Sequence, residues 1–165
     1  MTPRHITRVA AFAAAYVVLG QVVRFIPNPM VPGAIIALNM VVVVIAGLLF
    51  GPTVGGLVGL VGTVVNAISP AGNPFEWAAV VPHTVMGVTA GVVARRGLLL
   101  GALTIVVGHA LNIAAFLLVG LLPLSQAALT IFSVGLLVEV VIDVVVIVAA
   151  VRALRLVLPA GSRPA

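Results

Sequence analysis

The chain contains no cysteine and no lysine, and these two absences exclude several kinds of chemistry. Without cysteine there is no disulfide, no thiolate metal ligand and no cysteine nucleophile. Without lysine there is neither a Schiff base nor the Gly-Lys-Ser/Thr ending of a Walker A loop. Any ATP that this protein depends on is therefore hydrolysed by another protein.

Charged residues are scarce as well, at 7% of the chain, whereas 63% of its 165 residues are hydrophobic. The mean hydropathy is +1.39, and only lipid covers so much apolar surface around a short chain. The arginines are scattered at the ends of apolar segments, where they read as topology signals and not as a nucleic-acid-binding patch. The composition therefore indicates a membrane protein that lies in the lipid bilayer and binds no nucleic acid.

Six apolar segments are long enough, or nearly so, to cross a bilayer. The predicted spans cover about 6–24, 34–50, 52–70, 76–95, 98–120 and 127–153, in one integral membrane domain of residues 1–165. Helix breakers fill the connections, above all Pro27–Gly33 and Ser69–Pro74. The fold class predicted is all-α, a bundle of six transmembrane helices. The first segment also resembles a signal peptide, but no small-x-small cleavage site ends it, and we expect it to be retained.

The arginines predict the orientation of the bundle. With both termini in the cytoplasm, seven arginines lie inside and only Arg24 lies outside. The positive-inside rule favours this arrangement, and the opposite orientation would invert the ratio. We therefore expect a multi-pass protein of the cell membrane whose outer loops carry out recognition.

The three acidic residues all lie in or beside predicted spans. They are Glu76, Glu139 and Asp143. Because a charged group at that depth is costly unless it is paired or hydrated, each is a candidate for function. Glu139 and Asp143 are four residues apart and therefore share one face of the sixth helix. A hydrogen-bonding pair that ties helices together is the alternative interpretation of this spacing.

Further polar residues fall in the same outer half of the bundle. His109, Asn112 and Phe116 form one stripe on the fifth helix, and Glu76 and His83 share a face of the fourth. Their convergence on one layer predicts a hydrated pocket that opens outwards. The predicted substrate-binding residues are Glu76, Trp77, His83, His109, Asn112, Glu139 and Asp143. No catalytic residue, cofactor or resident metal is predicted.

Simpler explanations exist for individual residues in the outer half of the bundle, including Asn39 and Asn66, which are not in the predicted set. Asn39 and Asn66 are interpreted as hydrogen bonds between helices, the usual role of a lone intramembrane amide. Trp77 also suits the aromatic belt at a membrane interface. For His83 and His109 both interpretations stay open, and the shared layer is what indicates a ligand.

Small residues recur at a spacing of four. Gly51, Gly55 and Gly59 do so on the third helix, and Gly87 and Gly91 on the fourth. Such ridges allow close contact between helices in lipid, and packing inside the bundle is the default explanation for them.

The first helix carries two overlapping alanine pairs, Ala10 with Ala14 and Ala11 with Ala15. One pair can pack inside the bundle while the other faces a partner. The spacing alone does not decide between the two pairs.

The chain resembles the substrate-binding S components of energy-coupling factor (ECF) transporters, which take up vitamins and related micronutrients. The most similar stretch comprises Pro32-Gly33, Ala46–Pro52, Gly55–Gly59, His83, Gly87, Ala90-Gly91 and Arg95-Arg96. The resemblance implies that the protein captures its substrate from outside and closes the first outer loop over it. It also implies that the alanine face of the first helix docks on a membrane scaffold subunit carrying two cytoplasmic ATPases, which hydrolyse the ATP.

The ligand expected from the residues is small. One Trp and one Tyr provide few rings on which a large flavin or folate would stack. Three acids, three histidines and Arg24 favour a polar heteroaromatic or cationic ligand such as a thiamine-related pyrimidine. The alternatives are a transition-metal permease with His83, His109, Glu139 and Asp143 as ligands, and a proton- or cation-conducting protein. An enzyme fits least, because no nucleophile-base pairing appears.

The absence of cysteine makes the topology directly testable. Single cysteines introduced at Asn28, Asn73 and Gly97 are treated with a membrane-impermeant thiol reagent on intact cells. The positive-inside rule predicts modification at Asn28 and Asn73 and protection at Gly97. Modification at Gly97 in intact cells would contradict the orientation.

Overall fold

A computed structural model describes residues 1–26, 36–70 and 72–158, apart from the side chains of 127–129, 131 and 132. Most of the first outer loop, including Pro27–Gly33, lies outside the described residues. Within those ranges every regular element is a helix. The helices are α1 (Pro3–Val23), α2 (Met40–Phe50), α3 (Pro52–Ile68), α4 (Pro74–Ala78), α5 (Val80–Val93), α6 (Leu98–Ala102), α7 (Ile105–Leu118) and α8 (Gln126–Val157), with a 3-10 turn at Ala94–Arg96.

In the part of the chain that the structure describes, three helical stretches are long and apolar enough to cross a membrane. They are Pro3–Val23, Leu98–Leu118 and Ser133–Val157. α2 and α3 are shorter apolar helices between them. The all-α membrane bundle predicted from the sequence is therefore confirmed.

Several helix boundaries differ from the predicted spans. The helix of the second span begins only at Met40, after a turn, whereas the apolar segment begins earlier. The fourth span is divided at Ala79, and the fifth at residues 103–104. Pro82 lies in the first turn of α5, where a missing N–H removes no intrahelical bond. The helix is therefore interrupted just before Pro82, and Pro82 itself fits into the start of α5.

α2 forms the centre of the bundle. Its residues 40–49 are all buried, and it contacts α3, α5 and α8. A helix that is apolar all round is stable only when its neighbours surround it. α1 packs mainly on α3, and α7 packs on α5 and α8. The polar side chains of these outer helices consequently point towards a common interior.

The predicted glycine ridges form the contact between α3 and α5. A methyl group at Gly55 would overlap the backbone carbonyl of Gly87, and one at Gly87 would overlap that of Gly55. Gly59 lies in the same way against the backbone of His83. Glycine spacing therefore sets the distance between α3 and α5 and, with it, the position of His83.

Gly55→Ala is expected to destabilise the protein by about 1–3 kcal/mol, because the added methyl group meets backbone atoms that have no room to move. Gly56→Ala is the matched control, since its methyl group meets a side-chain methyl of Val88. Thermal unfolding of both variants in the same detergent measures the difference. Equal stability of Gly55→Ala and Gly56→Ala would show that the ridge does not limit the packing.

Candidate substrate-binding site

The hydroxyl group of Tyr16 is the centre of a buried polar cluster. Its Oη lies 2.8 Å from His83 Nδ1, 3.3 Å from Thr63 Oγ1 and 3.4 Å from Glu76 Oε2. Tyr16 is 0% exposed, His83 3% and Glu76 7%. The predicted pair of Glu76 and His83 thus shares one buried environment, although the two residues belong to separate helices, α4 and α5.

The stripe predicted on the fifth span faces the same interior. His109, Asn112 and Phe116 are all buried on α7. Asn112 Nδ2 lies 3.2 Å from His83 Nε2 and 3.5 Å from Met40 Sδ. Asn112 therefore connects α7 to the cluster around Tyr16.

A second polar contact joins α7 to α8. His109 Nε2 lies 3.1 Å from Asp143 Oδ2, and both side chains are buried. One turn away on α8, the Glu139 carboxylate accepts a hydrogen bond from the backbone N–H of Ala37. Glu139 also lies within electrostatic range of His109 and Asp143. The shared face predicted for Glu139 and Asp143 therefore brings both carboxyl groups into the interior.

Two asparagines complete the interior between α2 and α3. Asn39 and Asn66 are almost fully buried, and their side chains face the Glu76 carboxyl group. Asn66 Oδ1 lies 3.5 Å from Gln21 Nε2 on α1, which agrees with the interpretation as a link between helices. Among the described residues, Asn39 Nδ2 has no hydrogen-bond partner.

These side chains together form what is here termed the polar layer. Its members are Tyr16, Asn39, Thr63, Asn66, Glu76, His83, His109, Asn112, Glu139 and Asp143. Among the described residues, four of its buried atoms have no hydrogen-bond partner: Asn39 Nδ2, Asn66 Nδ2, Asn112 Oδ1 and Asp143 Oδ1. Because buried polar groups are nearly always paired, these donors and acceptors provide hydrogen-bonding capacity for a ligand.

Trp77 does not belong to the polar layer. Its side chain is 53% exposed, whereas that of the neighbouring Glu76 is buried. It lines an open cleft of about 620 Å³, whose other walls include Asn73, Pro74 and Leu121. This position fits the aromatic belt that was the alternative interpretation of Trp77.

Tyr16 and Thr63 were not among the site residues predicted from the sequence. A signal for Tyr16 was present, because the buried residues of α1 recur at helical spacing as Val9, Ala13, Tyr16, Gly20 and Val23. Thr63 follows Gly59 by four residues and so lies on the same face of α3 as the glycine ridge.

The histidines belong to two separate contacts. His83 pairs with Tyr16 and Asn112, whereas His109 pairs with Asp143. Within residues 1–26, 36–70 and 72–158, no three His, Asp or Glu side chains are arranged to hold a metal ion. This arrangement gives no support to the transition-metal permease considered above.

A comparison with known families decides the class of this protein. The model of the family described as "ECF-type riboflavin transporter, S component" matches residues 1–157. The chain belongs to this family. It is therefore a substrate-specific membrane subunit of an ECF transporter, as the resemblance implied, and S components are transport subunits and not a class of enzymes.

The family description bears on the ligand as well. It names riboflavin and not the thiamine-related pyrimidine that the residues of this S component favoured. Neither the curated proteins nor the solved structures compared with the chain gave a significant match.

Proposed function

We propose that the polar layer binds a heteroaromatic vitamin that arrives from the outer face of the cell membrane, with riboflavin as the first ligand to test. The observation that carries this proposal is the set of four unpaired polar atoms on α3, α7, α8 and the turn before α2. The family description supports a vitamin of the riboflavin type. In this proposal the protein is a multi-pass subunit with both termini in the cytoplasm.

The chemistry of riboflavin is compatible with the unpaired atoms. Its pyrimidinedione ring carries an imide N–H group between two carbonyl groups. Asn112 Oδ1 is an acceptor for such an N–H group, whereas the amide nitrogens of Asn39 and Asn66 are donors for carbonyl oxygens. Since the chain offers few rings for stacking, hydrogen bonds carry most of the selectivity in this proposal.

The base of the first outer loop is attached beside the polar layer. The backbone N–H of Ile36 donates to the carbonyl of Ile26 at 3.2 Å, so the two ends of the loop lie together. The bond from Ala37 to Glu139 fixes this base to α8. The loop itself, residues 27–35, lies outside the described residues, and its closure over a ligand stays an expectation from the resemblance.

Binding is expected to depend on Glu139 and His109. Replacement of either residue by alanine should weaken riboflavin binding by about five- to 150-fold, the effect of losing one buried hydrogen-bonding partner. Calorimetry or quenching of flavin fluorescence with purified protein measures the affinity. Leu118→Ala is the control, because Leu118 is on α7 as well but is 87% exposed. Unchanged affinity in both folded variants would show that Glu139 and His109 link helices and do not contribute to ligand binding.

The partner surface proposed here lies on α1. All four alanines of the two overlapping pairs are exposed. Ala10 and Ala14, but neither Ala11 nor Ala15, line an apolar groove of about 410 Å³ between α1 and α3, together with Val61 and Val65. Small residues let another helix approach closely. We therefore assign the Ala10 and Ala14 pair to the scaffold subunit, which in turn carries the two ATPases.

Ala14→Phe should block docking by filling the groove, while riboflavin affinity stays near that of the wild type. Co-purification with the scaffold subunit measures docking. Uptake of riboflavin into proteoliposomes that contain the scaffold subunit and the ATPases measures transport. Ala15→Phe tests the alternative pair, and Val92→Phe, on the exposed side of α5, is the control for added bulk. If both alanine variants dock and transport normally, the assignment of α1 is wrong. Loss of binding in Ala14→Phe would show that this face packs inside the bundle.

A further inference from the structure

The hydrogen bonds around His83 have one consistent direction. Asn112 Nδ2 is a donor only, and it lies 3.2 Å from His83 Nε2 and 3.5 Å from Met40 Sδ. Its two N–H groups are therefore used by these two acceptors. His83 Nε2 must then be unprotonated, and the proton of the neutral imidazole lies on Nδ1.

The opposite side of the imidazole ring agrees with this assignment. His83 Nδ1 lies 2.8 Å from Tyr16 Oη, and Tyr16 Oη lies 3.4 Å from Glu76 Oε2. The Tyr16 hydroxyl group donates to Glu76 Oε2, so its proton is directed to Glu76. The lone pairs of Tyr16 Oη then accept from His83 Nδ1–H and from the hydroxyl of Thr63 at 3.3 Å.

The direction of this chain of hydrogen bonds, from Asn112 through His83 to Tyr16, decides which atom Asn112 offers to a ligand. With Nδ2 occupied by His83 and Met40, the amide oxygen Oδ1 is left buried and unpaired. If the chain ran the other way, His83 Nε2 would carry the proton and would require the amide oxygen. The NH₂ group of Asn112 would then be left for the ligand. The direction of the hydrogen bonds therefore decides whether Asn112 presents an acceptor or a donor to the ligand.

We propose that Tyr16 is a positioning residue that holds His83 in the Nδ1–H tautomer and so makes Asn112 Oδ1 an acceptor for an N–H or O–H group of the ligand. This inference rests on the proposed ligand site. Thr63 Oγ1 also lies 3.0 Å from His83 Nδ1, but a hydroxyl group that rotates freely can donate or accept. Only Tyr16, which is in contact with Glu76, gives the chain its direction.

The tautomer is measured by ¹⁵N NMR of the full-length protein in detergent, labelled with ¹⁵N-histidine. The chain has three histidines, and His83→Gln identifies the signals of His83. A protonated Nδ1 and an unprotonated Nε2 are expected in the wild type and in Thr63→Val. Tyr16→Phe should shift the population towards Nε2–H. A wild-type His83 that is protonated on Nε2, or a Tyr16→Phe spectrum identical to that of the wild type, would overturn the proposal.

The ligand arm uses riboflavin and its N3-methyl derivative, in which a methyl group replaces the imide N–H. The wild type and Thr89→Val, which removes a hydroxyl group outside the polar layer, should bind riboflavin about five- to 150-fold more tightly than the methylated probe, the effect of one buried hydrogen bond. In Tyr16→Phe this ratio should fall towards one. Equal affinities of the wild type for both probes would refute the acceptor role of Asn112. If the wild type binds neither flavin, the proposed ligand is wrong, whereas the NMR result still decides the tautomer.

Discussion

A polar group surrounded by lipid-facing helices must find its hydrogen-bond partners inside the bundle, and this requirement organises the whole molecule. The outward faces of α5 and α8 carry exposed valines, leucines and isoleucines. The acids and the two intramembrane histidines point inwards, where Tyr16, Asn112 and Asp143 meet them. The polar layer follows from this sorting, and so does its capacity to select a ligand by hydrogen bonds.

Close packing of backbones gives the polar layer its geometry. The glycines of α3 and α5 bring Gly59 against the backbone of His83 and leave no room for a side chain at the contact. Thr63, one turn further along α3, thereby comes within 3.0 Å of His83 Nδ1. The hydrogen bonds of His83 therefore depend on the glycine packing. A substitution that moves α3 away from α5 is expected to weaken the contact between Thr63 and His83.

α1 connects the two proposed activities of this S component. Its inner side carries Tyr16, which touches the polar layer, and its outer side carries Ala10 and Ala14 in the groove shared with α3. Both faces belong to the same rigid helix, within two turns of each other. A ligand that changes the contacts of Tyr16 therefore acts on the element to which the scaffold subunit is proposed to bind.

Much of this arrangement was predictable from the sequence. Apolar length and helical spacing identified the all-α bundle, the buried stripe from His109 to Phe116 and the glycine contact. Spacing along one helix does not reveal which residue on another helix lies opposite, so the roles of Tyr16 and Thr63 and the pairing of His109 with Asp143 were not found. Trp77 shows the same limit, because residue type and position could not tell that its side chain is exposed while that of Glu76 is buried.

The identity of the ligand was harder to predict from the sequence than the contacts between helices. The scarcity of aromatic residues favoured a thiamine-related ligand, whereas the family description names riboflavin. Which side of an amide is free depends on the tautomer of a neighbouring histidine, and that depends on contacts among α1, α4, α5 and α7. Composition contains no information about such contacts.

Mass spectrometry of the small molecules that co-purify with the protein tests whether the polar layer binds a heteroaromatic vitamin. The wild type should retain one such vitamin, with riboflavin expected, in an amount approaching that of the protein. Asn112→Leu, which removes the unpaired acceptor, should retain much less of it, whereas Leu118→Ala should retain as much as the wild type. Binding of the vitamin in the polar layer would be contradicted if only a metal ion is recovered, or no small molecule even after growth with the vitamin. Equal amounts from the wild type and Asn112→Leu would contradict it as well.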